Sequence, residues 1–192
     1  MNFETTPHNI YLFRSTREGQ VGLKVPLMLL HDEHITLRLQ LDSIYELANR
    51  IERAPLDRRK EWLDKLTRLM VEFEAKSLCH LSKEEELLFP LLVRYMSREN
   101  SPIAVLEYEH DHAKQNIRRY YEIINGLSTP INTSAINEIV GYVTEAVVIL
   151  MDHFRKEEQV LFPIANSLFT QAEMEWLQDE FERMDGWMGS AF

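Results

Sequence analysis

The stretch His80-Leu-Ser-Lys-Glu84-Glu85-Glu-Leu-Leu-Phe89-Pro90 recurs later in the chain as His153-Phe-Arg-Lys-Glu157-Glu158-Gln-Val-Leu-Phe162-Pro163. Aligned without gaps, seven of the eleven positions are identical, which marks a duplication rather than shared composition. Each copy sets a His and a Glu four residues apart. At about 100° per residue those side chains leave nearly the same face of a helix. One imidazole and one carboxylate aimed at one point are half of a metal site.

The duplication reaches further back. Leu30-His-Asp-Glu33-His34-Ile-Thr-Leu37 aligns with Leu106-Glu-Tyr-Glu109-His110-Asp-His-Ala113, each with Leu four before the His and Glu directly before it. The spacings agree as well, with 46 residues from His34 to His80 and 43 from His110 to His153. Each half therefore reads as one helix carrying a His and a second carrying His-x-x-x-Glu. Folded face to face, the halves send four His and two Glu into one core. A lone His on an apolar face is usually a satisfied core residue, and a lone His-x-x-x-Glu pair is often a surface ion pair. Six such groups at symmetric positions are hard to bury without a metal, because unpaired buried carboxylates carry a large desolvation penalty. Imidazole and carboxylate without thiolate suit iron, manganese or zinc, and a site of this size suits two ions bridged by the carboxylates.

The rest of the composition fits a helical protein and narrows its class. The 192 residues are 45% hydrophobic and 27% charged, with only six Gly and seven Pro, enough for one domain with a full core. A net charge of −10 argues against nucleic acid as a partner. Cys79 is the only cysteine, which excludes a disulfide framework and a Cys-x-x-Cys site and makes a buried, inert thiol the simplest reading. No basic flank followed by an apolar run opens the chain, and stretches such as Ala146-Val-Val-Ile-Leu-Met151 are far shorter than a membrane span. A soluble, cytoplasmic protein with no membrane partner is the expectation.

Periodicity orders the chain as a single domain over residues 1–192. Residues 1–25 read as an N-terminal arm, with His8 solvated. A first helix starts near Pro26 and runs to about Arg53, its inner stripe marked by Leu30, His34, Leu37, Leu41 and Ile44. A second starts with Asp57 as cap and continues through Leu66, Phe73, Leu78 and His80 until Pro90 kinks or ends it. Ser101-Pro102 starts a third helix, through Leu106, His110 and Ile117 to Gly126. After the loop at 128–134 a fourth carries Ile139, Val143, Leu150 and His153 toward Pro163, and a short C-terminal helix covers 170–186. Helices of roughly 25 to 30 residues on short loops predict an all-α, antiparallel up-and-down four-helix bundle over 26–165. Lys83, Lys156, Glu86 and Gln159 read as solvated. Glu85 and Glu158, about 140° from their His, read as outward unless a kink at the proline turns them in.

These residues resemble the hemerythrin-like family of His-His-Glu cation-binding domains. The likeness rests on Glu33-His34, His80-x-x-x-Glu84 with Leu88-Phe89-Pro90, Glu109-His110, and His153-x-x-x-Glu157 with Leu161-Phe162-Pro163. It implies a four-helix bundle around two non-haem iron ions (Fe2+/Fe3+), bridged by carboxylates and by an oxo or hydroxo group. His34, His80, His110 and His153 would be terminal ligands, and Glu84 and Glu157 bridges. The dioxygen-carrying members place a second His one turn after the third-helix His, where this chain has Lys114. His31 is then a candidate fifth imidazole or a partner of a ligand, and Glu158 a minor alternative to Glu157. His112 points away from His110 and reads as surface.

Function follows in the same terms. The leading expectation is a di-iron protein that binds, senses or reduces dioxygen or a related oxidant such as peroxide or nitric oxide, with Tyr108, Tyr120, Tyr121 and Tyr142 as available proton donors. The alternative is repair of iron-sulfur centres, or an iron- or redox-sensing module acting through a protein partner. A ferritin-like oxidase needs Glu-x-x-His on two helices, and only Glu107-x-x-His110 fits. A zinc hydrolase lacks its His-Glu-x-x-His.

Overall fold

The computed structural model describes residues 22–127 and 131–188, and these are helical wherever they are regular, with no strand among them. Residues 1–21, which hold most of the expected arm and His8, lie outside the described residues, as do 128–130. In chain order the elements are α1 (Val25–Glu52), a 3-10 turn (Leu56–Arg58), α2 (Arg59–Lys83), a π turn (Glu84–Leu88) and α3 (Phe89–Val93). There follow α4 (Pro102–Gly126), α5 (Thr133–Lys156), a second π turn (Glu157–Leu161), α6 (Phe162–Leu168) and α7 (Gln171–Met188).

The helix starts follow local chemistry in different ways. Pro26 sits in the first turn of α1, where its missing N–H costs nothing. Asn132 caps α5 by accepting from the Ala135 N–H at 2.8 Å. Asp57 does not cap α2: it lies inside the 3-10 turn, and α2 begins at Arg59 without a side-chain cap. Ser101 holds the N-cap position of α4, yet its hydroxyl donates back to the Arg98 carbonyl.

Both π turns stand directly before a Phe-Pro pair. The Phe89 N–H reaches the Glu84 carbonyl and the Phe162 N–H reaches the Glu157 carbonyl, five residues back rather than four. Pro90 and Pro163 have no N–H to continue an α ladder, and the widened turn absorbs that break without ending the rod. The expected kink is thus a change of helical pitch placed on the two Glu-Glu pairs.

α1 packs against α2 and α5, α4 packs against α5, and α7 lies on α1, α2 and the first π turn. The apolar interior falls into two clusters. One contains Leu37, Leu41, Phe73, Ala113, Val143, Leu150 and Phe154, the other Leu30, Leu88, Phe89, Leu106, Leu161, Phe162 and Phe181. Every long helix crosses from one to the other through a polar position. Leu30, His34 and Leu37 do so on α1, and Leu106, His110 and Ala113 on α4. Phe73, His80 and Leu88 make the crossing along α2, and Leu150, His153 and Leu161 along α5. The six His and Glu side chains form a layer between two apolar plugs.

Two expectations need correction. Leu78 is 54% exposed, and Ser77 takes the inner position, because the stripe on α2 runs Leu66, Met70, Phe73, Ser77, His80 at helical spacing. The apolar runs are also longer than they read by eye. The continuous helix from Thr133 to Leu168 is long and apolar enough, by length and composition alone, to cross a membrane. Its inner face, however, is committed to the core through Ile136, Ile139, Val143 and Leu150 and carries His153 and Glu157 inward.

Candidate metal centre

His34, His80, His110, His153, Glu84 and Glu157 are all buried, the two Glu completely. Their inward atoms form two groups whose members lie within 4.8 Å of one another, His34-His80-Glu84-Glu157 and Glu84-His110-His153. Within the first, the Nε2 atoms of His34 and His80 are 3.1 Å apart, His80 Nε2 is 3.0 Å from Glu84 Oε1, and His34 Nε2 is 3.2 Å from Glu157 Oε2. Within the second, the Nε2 atoms of His110 and His153 are 2.8 Å apart, and His110 Nε2 is 3.5 Å from Glu84 Oε2. Glu84 thus turns one oxygen to each group. Glu157 Oε2 lies between them, 3.3 Å from His153 Nε2.

These separations can be tested against coordination geometry. Two donors about 2.1 Å from one cation, at right or tetrahedral angles, are about 3.0–3.4 Å from each other. The edges of 3.0, 3.1, 3.2 and 3.3 Å fall in that range, and the two His110 edges, at 2.8 and 3.5 Å, lie just outside it. Further, both oxygens of Glu84 and of Glu157 are buried without a hydrogen-bond partner. Buried carboxylates are normally hydrogen-bonded, so four orphaned oxygens facing four imidazoles fit cations.

The outer nitrogens are equally ordered. His34 Nδ1 meets Glu158 Oε1 at 2.9 Å, His80 Nδ1 meets Glu33 Oε2 at 2.8 Å, His110 Nδ1 meets Glu85 Oε1 at 2.8 Å, and His153 Nδ1 meets Glu109 Oε2 at 3.3 Å. Each Nδ1–H donates outward, which points each Nε2 inward as a ligand atom and raises its basicity. Each carboxylate is in turn held by a cation. Arg38 pairs with Glu158 at 2.7 Å, Lys83 with Glu33 at 2.5 Å, Lys114 with Glu85 at 2.7 Å, and Lys156 with Glu109.

The charges follow from these contacts. Burial works against the charged forms of His34, His80, His153, Glu84 and Glu157, but the mutual attraction of imidazolium and carboxylate prevails. The Glu84 carboxylate beside His80 and the Glu157 carboxylate beside His153 push those imidazoles up to about 10. His34 is also raised, and Glu84 and Glu157 are held below the usual carboxylate range by their imidazoles. The metal-free centre is a compact array of imidazolium and carboxylate, and a cation entering it takes the place of the Nε2 protons.

Every central residue singled out from the sequence reaches this layer except His31. That side chain is buried on α1 outside both donor groups, with Nε2 4.0 Å from Glu158 Oε1. His112 faces outward toward Glu145, as its spacing predicts. Glu85 and Glu158, expected to point outward unless a kink at the proline turned them in, lie in the π turns and hold His110 and His34. Of the two lysines expected to be solvated, Lys83 is buried at 1% exposed, whereas Lys156 is part-exposed at 33%. The signal for this outer ring was the duplication itself. Glu33 and Glu109 precede the paired His, and Arg38 and Lys114 follow it by four in both halves.

Apolar rings close the layer. Phe154 stacks on His34 at 4.3 Å, Phe162 on His34 at 5.5 Å, and Phe89 on His110 at 5.9 Å. The Phe-Pro motifs therefore serve packing at the centre as well as the π turns. Beside His80 and His110 a cavity of about 30 Å³ is walled by Ser77, Ala113, Leu150 and Phe154.

Comparison with known proteins places this arrangement. The hemerythrin HHE cation binding domain matches residues 25–165. The chain is 30% identical over 140 residues to the iron-sulfur cluster repair protein YtfE of Pectobacterium atrosepticum, and 32% identical over 138 residues to that of Escherichia coli K12. Each alignment covers 70% of this chain and 60% of the relative, so the chain spans about 60% of the length of the curated relatives it matches.

Proposed function

Since this chain belongs to the hemerythrin HHE cation-binding family, we propose that it is a non-haem di-iron protein serving the repair of iron-sulfur centres. The observation that carries this is the pair of donor groups sharing Glu84, inside a relationship to proteins named for that repair. The order of preference among the sequence expectations is thereby reversed: repair moves ahead of oxidant binding.

In this proposal the chain is a single domain, an antiparallel up-and-down four-helix bundle of α1, α2, α4 and α5, each rod extended past its π turn by α3 or α6. His34, His80, Glu84 and Glu157 would hold one iron, and Glu84, His110 and His153 would hold the second, with Glu84 common to both groups. His31 supports Glu158 rather than a metal. Bound iron supplies an Fe2+/Fe3+ couple and coordination positions that six protein donors leave open. The protein's own contribution is to fix each Nε2 through its Nδ1 carboxylate, to take up or give back the Nε2 protons as iron leaves or enters, and to keep water out with Phe89, Phe154 and Phe162. In repair the iron is the cargo, handed as Fe2+ to a damaged centre. The lone thiol Cys79 suits a reducing, cytoplasmic setting.

The test is transfer. Protein loaded anaerobically with Fe2+ is mixed with an enzyme whose iron-sulfur centre has been damaged by oxidation. Recovered activity that requires the loaded protein, and is absent with His80→Ala, supports repair. No recovery from protein carrying its full iron sinks it.

A second reading is favoured by the cavity beside His80 and His110. Its volume, about 30 Å³, exceeds the roughly 10–15 Å³ that one water needs, which leaves room for a small ligand such as dioxygen or nitric oxide. A persistent charge-transfer band on adding dioxygen to the ferrous protein would favour this role, and an unchanged spectrum would count against it.

A further inference from the structure

The outer ring is nearly twofold symmetric, and one departure is informative. In the second half, Lys156 holds Glu109 and is itself balanced by Asp152, 2.8 Å away on the same helix and directly before His153. The matching position before His80 is Cys79, which has no charge to offer there. The missing carboxylate comes from elsewhere. Asp185, in the last turn of α7, lies 2.7 Å from Lys83 Nζ and accepts from Cys79 Sγ at 3.2 Å. Phe181, one turn earlier on α7, puts its ring 5.6 Å from the same Nζ. Lys83 is consequently buried where Lys156 is part-exposed. α7 begins beyond the segment that carries the family match, which ends at residue 165.

We propose that Asp185 is a positioning residue for the metal centre, acting through Lys83 and Glu33 on His80, so that α7 sets the affinity of the His34–His80 metal position separately from the His110–His153 position. The inference rests on the di-iron reading above. Two effects act in the same direction. With Asp185 present, the buried Lys83 charge is divided between two carboxylates, which leaves Glu33 a stronger acceptor for the His80 Nδ1–H and lowers the positive field at the cation. Without it, the whole ammonium charge falls on Glu33, and His80 becomes a poorer ligand. Loss of a direct partner of a metal-bound His typically lowers affinity about 10–100-fold. Asp185 stands two links further out, beyond Glu33 and Lys83, so the lower end of that range, about tenfold, is expected.

The experiment follows the release of Fe2+ from the anaerobically loaded full chain to an excess of ferrous chelator, with helicity recorded on the same samples. Asp185 is half exposed on α7, and Asp185→Asn leaves the apolar anchors Leu177 and Phe181 in place. Asp185→Asn should speed the loss of one ion about tenfold and leave the other at the wild-type rate, whereas Asp152→Asn should speed the other. Adding Cys79→Asp to Asp185→Asn rebuilds the carboxylate where the second half has it and should restore slow release, which a merely structural role for Asp185 would not allow. Equal release of both ions from Asp185→Asn and wild type, or acceleration of both together that Cys79→Asp does not reverse, overturns the proposal. A wild type that holds one ion refutes the di-iron reading, and the proposal is then decided by whether Asp185→Asn loosens that ion. A wild type that holds none overturns both.

Discussion

Stripping the metal should bring this protein close to the limit of its stability. The four oxygens of Glu84 and Glu157 are buried without hydrogen-bond partners, and each buried unsatisfied polar atom costs about 1–3 kcal/mol. Together they amount to roughly 4–12 kcal/mol by that scale. The imidazolium groups of His80 and His153 recover part of this in the metal-free state, which places the net cost in the lower half, about 4–8 kcal/mol. An ordinary domain has only about 5–15 kcal/mol in total. For a chain of this size each kcal/mol moves the melting temperature by about 2–4 °C, so chelation should lower it by roughly 10–30 °C. The assay is thermal melting by circular dichroism of Fe2+-loaded and chelator-treated protein, both anaerobic, with back-titration of iron to show reversal. Melting curves that coincide would refute the reasoning, since the carboxylates would then be satisfied without a cation.

Further outcomes follow from individual contacts. Glu33→Gln and Glu109→Gln each replace the charged acceptor of one Nδ1–H with a weaker, neutral amide and should weaken iron binding about 10–100-fold, with little change in helicity, read by competition with a chelator. His153→Ala breaks the smaller donor group and leaves His34, His80, Glu84 and Glu157 intact, so metal analysis should find one ion per chain where the wild type holds two. Phe154→Ala empties a fully buried ring position against His34 and should cost about 3–5 kcal/mol, measured by denaturant unfolding of the loaded protein. The His110 hydrogen bond, helped by Lys114 and opposed by burial, holds the Glu85 carboxyl down at about 2. A depressed carboxylate stabilises the fold above its ordinary value of 4.5 and loses that contribution as pH falls toward 2. The melting temperature of metal-free protein should therefore decline across that window, and less steeply in Glu85→Gln.

The six central residues were legible in the sequence because duplication converts weak local patterns into one strong pattern, and because His-x-x-x-Glu has a definite meaning on a helix. The helical class was legible from periodicity and from the scarcity of Gly. What remained hidden depended on distance or on pitch. Glu85 and Glu158 reach His110 and His34 only because the π turns widen the helix just where Pro90 and Pro163 interrupt the ladder, and an assumption of 100° per residue turns them outward. Lys83 looked solvated because a lysine before three glutamates normally is. Its burial comes from Asp185 and Phe181, about a hundred residues further on, which no local pattern encodes. Leu78 was placed inward by its apolar character, although the stripe set by Phe73 and His80 selects Ser77.

The most direct test of the central claim is the iron content of the anaerobically reconstituted, desalted full chain. Two ions per chain, falling to one in His153→Ala and abolished when Glu84 and Glu157 are both replaced by Ala, is the predicted result. A wild type that retains no iron, or whose two ions survive the loss of both carboxylates, would contradict it.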